Sequence, residues 1–220
     1  MKQAVILLVT GLMLLVPATQ AQKSLAEATL QYDISIQPKA GATAAGSLQG
    51  AGAVFYVKGV YSRSDMFSSL GNEKTIHDAR QGTAAILKEY SGQKLMITLT
   101  KENWVEKNKQ SEGISFTDQP ETKEIAGYNC QKASARLNDG SSIITYYTPD
   151  LVMSNRDYNP LFKNLKGVPL YYEVESGKLK FIYTLRSIDF STIPQSRFDL
   201  PKAGYRVMSY DESRQEGKGK

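Results

Sequence analysis

The 220-residue chain has one cysteine, Cys130, and one histidine, His77. A lone thiol makes no disulfide within the chain, which excludes the disulfide-stapled class of small secreted domains. A lone imidazole excludes a metal site built from histidines, and no cysteine or carboxylate group falls at ligand spacing. The Gly-x-Ser-x-Gly turn of serine hydrolases is also missing. Gly50, Gly52 and Gly82 open no helix, so no phosphate-cradling loop is expected. His77 and Cys130 both sit in strand-like stretches. They are a formal thiol–base pair, but Cys130 lies away from any helix start that would lower its pKa, and a buried structural thiol is the other reading. Asp118, Glu121 and Glu124 read as solvated loop or edge residues rather than an acid/base pair. A non-enzymatic protein without cofactor or metal is expected.

Charge is likewise not concentrated. Lys and Arg total 27 against 22 Asp and Glu, a net of +5. No dense basic block marks a nucleic-acid partner. The mild positive balance suits either a solvated surface or weak attraction to anionic lipid head groups. Hydrophobic residues make up 41% of the chain and charged residues 22%, an ordinary globular balance that leaves room for one domain with its own core.

The long apolar run at the start is too short for a membrane span. Lys2 precedes a 13-residue apolar stretch, Ala4 to Val16, which Pro17 interrupts. A span needs ~20 residues, whereas a charged start, a short apolar run and small residues at Thr19 and Ala21 fit a secretory signal. The expectation is a signal peptide over 1–21 cleaved after Ala21, with an uncleaved anchor as the alternative. A single β domain over 22–210 and a flexible polar tail over 211–220 follow. No later segment reads as a transmembrane helix, so a periplasmic protein is expected.

What is present is period-two alternation. Leu30, Tyr32, Ile34 and Ile36 share one face of a strand, and Gln31, Asp33 and Ser35 the other. Further strands are predicted at 54–58, 61–67, 74–78, 84–90, 95–100, 122–126, 129–137, 142–148, 170–175, 179–186 and 206–210. A Gly/Ala-rich loop is predicted from Ala40 to Gly52. Ser176-Gly177 reads as a two-residue hairpin turn that sets Glu175 opposite Lys178, Glu173 opposite Lys180 and Tyr172 opposite Phe181. A short helix is expected with Asn159 as its cap, Pro160 at its first position and Gly167 as a left-handed terminator. A second helical turn is expected around 102–109. These elements make a mainly β (α+β) fold: a single curved antiparallel sheet or half-barrel, partly covered by short helices.

The chain carries 13 tyrosines, many of them in strands. They serve either cross-strand packing or an apolar inner face with polar tips, suited to an acyl chain. The doublets Tyr146-Tyr147 and Tyr171-Tyr172 supply a ring to each face, so both faces should be at least partly covered. Inward alternation nominates Tyr32, Ile34, Phe55, Leu87, Ile97, Tyr172, Phe181 and Tyr183 as walls of a ligand cavity.

Several segments together carry a family resemblance. They are Glu124 to Ala133, Tyr146-Tyr147-Thr148-Pro149-Asp150, Asn164 to Glu173, and Phe198 to Lys202 ahead of Gly204-Tyr205, with Val57 to Arg63 also in keeping. In combination they resemble an exported Gram-negative envelope family of unknown function related to the GLPGLI group, with Gly167-Val168-Pro169-Leu170 where the GLPGLI string would stand. The resemblance implies an architecture similar to the outer-membrane lipoprotein carriers (LolA-like), whose curved sheet and covering helices enclose a cavity for acyl chains. It brings no catalytic residues. The function expected is a periplasmic binding or carrier protein for a lipidic or other hydrophobic ligand. The alternative is a structural or interaction module of the envelope, with a protein partner and no small ligand.

Overall fold

A computed structural model describes residues 22–38 and 50–218. The expected signal segment, and residues 39–49 of the expected Gly/Ala-rich loop, lie outside the described residues. Among the described residues fourteen strands and two short α-helices run in the order β1 (Lys23–Leu25), β2 (Glu27–Pro38), β3 (Gly52–Lys58), β4 (Tyr61–Ser68), β5 (Gly71–Asp78), β6 (Thr83–Tyr90), β7 (Gln93–Leu99), α1 (Lys101–Lys107), β8 (Thr117–Ile125), β9 (Tyr128–Arg136), β10 (Ser142–Thr148), β11 (Leu151–Met153), β12 (Val168–Ser176), β13 (Leu179–Asp189), β14 (Arg206–Ser209) and α2 (Tyr210–Lys218).

Twelve strands form one open sheet in the order β14-β7-β6-β5-β4-β3-β2-β13-β12-β10-β9-β8. Every neighbouring pair is antiparallel except β14 with β7, because the chain leaves β13 in mid-sheet and crosses a face to reach the far edge. The sheet does not close, as β8 and β14 end it without pairing to each other. β8 is suited to an edge: it carries Pro120, which cannot donate to a ladder, and its pairing with β9 shifts register between Asp118 and Thr122. The three-residue strands β1 and β11 pair in parallel beside this sheet. Segments that short show no periodicity, so the sequence gives them no signature.

The sheet has an inner face, covered by α1 and residues 154–165, and an outer face, crossed by residues 190–205. The main core lies on the inner face, where Leu30, Ile143, Val168 and Leu170 are wholly buried. A second cluster joins Ile86, Ile97 and Leu99 to Met208 of β14. On the outer face Ile193 and Phe198 of the crossing segment cover Ile76 and Leu87. Lys58 fastens that segment by donating to Glu27 (2.9 Å) and to the Ile193 carbonyl (2.7 Å). The tyrosine doublets divide as alternation requires: Tyr147 and Tyr172 are buried, while Tyr146 and Tyr171 meet edge-to-face at 5.8 Å on the other side.

Three local expectations are corrected. The β12–β13 hairpin turns on Gly177-Lys178, with Ser176 opposite Leu179, Tyr172 opposite Tyr183 and Val174 opposite Phe181. Gly177 takes the positive φ (56°) that the first position of a II′-type turn demands. Because the shift is by two residues, the same side chains still face inward. Asn159 and Pro160 begin a single 3-10 turn, Pro160–Phe162, and Gly167 ends no helix. A Cβ on Gly167 would sit 1.9 Å from the Thr148 carbonyl oxygen, so this glycine permits close strand approach. Residues expected as a flexible tail are helical as far as Lys218. Ser209 and Glu212 cap the helix reciprocally, the Ser209 N–H donating to Glu212 (2.7 Å) and the Glu212 N–H to the Ser209 hydroxyl (3.2 Å). Asn103 and Arg214 tie it to α1 through Asp211 and Glu106.

Candidate functional site: a cleft on the inner face

Between the inner face and its covers lies an open cleft of about 410 Å³, within the range of small-molecule sites, roughly 300–1,000 Å³. Alternation places its sheet-borne lining. Ser62, Ser64 and Met66 of β4 pair with His77, Thr75 and Glu73 of β5, so all six share one face. Phe55 of β3 pairs with Ser64 and borders this strip. Across the cleft stand Tyr172 and Val174 of β12 with Phe181 and Tyr183 of β13. One wall is therefore hydroxyl-bearing, and the other aromatic and aliphatic.

The covers are short and individually capped. In α1 Thr100 and Asn103 make a capping box, each side chain accepting from the other's N–H at 3.2 Å. This sets Trp104 against the sheet, its ring stacked on His77 at 4.4 Å between centroids. The other cover, residues 154–165, follows a chain of side-chain caps: Asn155 accepts from the Asp157 N–H (3.1 Å) and Asn159 from the Leu161 N–H (3.2 Å). Arg156 donates to the Leu165 carbonyl at 2.5 Å. These bonds place Tyr158 and Leu161 over the cleft.

Under the aromatic wall runs a ladder of rings. Tyr172 stacks on Tyr183 at 4.3 Å and meets Phe162 at 4.7 Å and Tyr32 at 5.7 Å. Tyr32 also meets Phe55 at 5.7 Å and donates its hydroxyl to the Pro169 carbonyl at 2.7 Å. Burial holds the Tyr32 and Tyr172 hydroxyls well above the usual tyrosine range, and pushes Tyr183 up to about 12. The wall is thus uncharged at any physiological pH.

The cleft continues at both ends. A chamber of about 290 Å³ shares His77, Trp104, Asn108 and Pro160 with it and opens between Lys101, Asp157 and Lys163. A smaller hollow of about 120 Å³ shares Met66 and Phe181 and is lined by Ile34 and Ile36.

Of the eight residues nominated from the sequence, Phe55, Tyr172, Phe181 and Tyr183 line the main cleft, and Ile34 lines the hollow beyond Phe181. The other three do not form walls. Tyr32 is buried behind Phe55 and Tyr172. Ile97 faces inward but is covered by its own cluster around Met208 and Trp104. Leu87 lies on the opposite face, under Ile193 and Phe198. In β6 apolar residues run on both faces (Ala84, Ala85, Ile86, Leu87), so hydropathy alone fails to orient that strand. The hydroxyl strip is hidden from alternation for the converse reason: Ser62 and Ser64 alternate with Arg63 and Asp65, and all four are polar. Only pairing to Phe55 and Val57 reveals their inward direction.

His77 and Cys130 form no pair. They stand on β5 and β9, seven strand steps apart in the sheet. Cys130 lies in the main core, its Sγ 3.4 Å from the Tyr128 carbonyl, and burial raises its pKa to about 11. A thiol so placed is a poor nucleophile. Among the described residues no group of three or more His, Cys, Asp and Glu side chains converges as a metal site, and no helix is long and apolar enough to cross a membrane.

No family model matches the sequence, and no curated protein matches it. Among solved structures the chain is similar to PNGF-II in its C2 crystal form, with a TM-score of 0.52 and 14% identity over 86% of this chain and 32% of that one. The P21 form gives 0.51 and 12% identity, over 86% and 33%. The chain therefore spans about a third of PNGF-II. A beta-barrel-like protein of the domain of unknown function DUF1849 from Brucella abortus aligns at a TM-score of 0.38 with 9% identity, over 77% of this chain and 99% of that one. At such identities the likeness to PNGF-II is one of fold alone.

Proposed function

We propose that this chain is an exported, non-enzymatic binding protein of the bacterial envelope that holds a hydrocarbon-bearing ligand in the inner-face cleft. The cleft carries the reading: about 410 Å³ of open space runs along an uncharged aromatic wall. Transferring apolar ligand surface from water onto such a wall is favourable by ~25 cal/mol per Å² before the costs of association. The side chains that line it supply shape and apolar area, which suits holding a hydrocarbon. Residues 1–21, read as a secretory signal, support export to the periplasm. The motif resemblance to the GLPGLI-related envelope family supports a role in handling lipids or lipoproteins there.

Mass spectrometry of the protein extracted from its native envelope without harsh detergent tests this directly. A co-purified mass in the range of a lipid or acyl compound is expected. A clean apo species that also takes up no fluorescent fatty acid would overturn the proposal. In that event, crosslinking in intact cells to one dominant partner would point to an interaction module.

A further inference from the structure

We propose that the His77 end of the cleft selects an uncharged, hydrogen-bonding head group, such as the glycerol of a monoacylglycerol, while the tail lies along Tyr172, Phe181 and Tyr183. This rests on the hydrocarbon-binding reading above and adds a head-group class to it.

The first observation is an unmet polar atom. His77 is 4% exposed, and its Nδ1 is buried with no hydrogen-bond partner. Buried polar atoms in native proteins nearly always have partners, so this one leaves a hydrogen bond unmade on a residue that lines the cleft. His77 lines both the main cleft and the adjoining chamber, held in place by the stacked Trp104 ring.

The second observation is the company His77 keeps. Ser62 stands directly opposite it on β4, and Ser64 opposite Thr75, so hydroxyls continue the polar strip along the cleft. From His77 to Glu73 the strip extends ~13 Å at the usual rise of a strand. Two of the acidic groups beside it are held in ion pairs: Glu73 pairs with Lys88 at 3.2 Å and Asp157 with Lys163 at 2.6 Å. Lys101 and Lys107 at the rim are exposed, where a carboxylate would gain little from pairing.

Ionisation fits this picture. Burial holds the imidazole pKa below its ordinary value and outweighs the upward pull of Asp157 and Asp78, with Lys163 acting in the same direction as burial. A neutral imidazole has one donor and one acceptor nitrogen, and a ligand hydroxyl complements either. A polar site of this kind discriminates strongly against an analogue that lacks the hydroxyl, because its own groups are then left unpaired.

Displacement of a bound fluorescent fatty acid by 1-monoolein, oleic acid and methyl oleate, near neutral pH, provides the test. Monoolein should compete at least about tenfold better than methyl oleate, with oleic acid no better than the ester. In His77→Phe the preference of monoolein over methyl oleate should vanish. Thr75→Val, which keeps the side chain's shape and removes its hydroxyl, should narrow the preference in a fold left intact. Equal competition by all three in the wild type, or a preference that survives both substitutions, would overturn the head-group assignment and leave hydrocarbon binding standing. Failure of the fluorescent fatty acid and all three competitors to bind at all would overturn both.

Discussion

The inner faces of β12–β13 and β4–β5 belong to one sheet and follow one alternation, yet they do opposite things. On β12 and β13 the inward residues Leu170, Tyr172, Val174, Phe181 and Tyr183 are large and apolar, and Leu170 and Tyr172 sink fully into the core. On β4 and β5 the inward residues include Ser62, Ser64 and Thr75, whose short side chains cannot reach the covers that α1 and residues 154–165 provide. Space is left where short polar side chains face long apolar ones beneath the two covers. The cleft is thus set by residue size at fixed inward positions, and a backbone of the same shape with leucines on β4 would be solid.

Substitutions on the two sides should separate sharply. Leu170→Ala, in the packed half, should cost about 2–5 kcal/mol, read from the shift in denaturant midpoint. Thr75→Val in the open half should stay within about 1 kcal/mol. Equal losses would dissolve the distinction between packed and open regions. Gly167→Ala should come next, at about 1–3 kcal/mol, since its Cβ would collide with the Thr148 carbonyl and force β10 and β12 apart.

Filling the cleft should sharpen the comparison further. Ser64→Leu is expected to leave thermal stability within about 1 kcal/mol of the wild type, since the added methyl groups enter open space. Uptake of a fluorescent fatty acid should fall at least about tenfold. A variant that unfolds instead would show that β4 is packed like β12.

The smallest effect concerns pH. Burial depresses the His77 pKa below 6.5, so the folded protein resists protonation more than the unfolded chain does. Its contribution is then fully present above pH 6.5 and is lost as pH falls from there through the depressed value. Mildly acidic solution should destabilise the wild type more than His77→Phe, as seen in melting temperatures across that window. Parallel curves would contradict the burial of His77.

Most of the sheet was legible because alternation and turn residues are local signals. Each of the longer strands was anticipated, as were the Trp104-bearing turn and the Asn159-Pro160 start. Less of the site could be read. A strand with one polar face, such as β2, declares its direction. β4, polar on both faces, and β6, apolar over Ala84 to Leu87, do not; the cleft depends on β4, and β6 decides where Leu87 lies. Alternation alone therefore sets Leu87 on the wrong face, gives Ser62 and Ser64 no inward direction, and presents His77 only as a formal base for Cys130. The register of β12 on β13 escapes the sequence because two alternative turns, Ser176-Gly177 and Gly177-Lys178, preserve facing and differ only in which residues stand opposite. The helical end of the chain depends on Ser209 and Glu212 capping and on ties to α1, which composition conceals.

Trp104 is the sole tryptophan and forms part of the cleft roof, so its fluorescence reports on the site without labelling. Titration with a fatty acid brominated along its tail, beside the unbrominated acid as control, measures occupancy where it matters. The account requires saturable quenching of Trp104 by the brominated acid, relieved by the unbrominated one and weakened in Ser64→Leu. Emission that stays constant as brominated acid is added, or quenching that never saturates, would contradict a hydrocarbon site on the inner face.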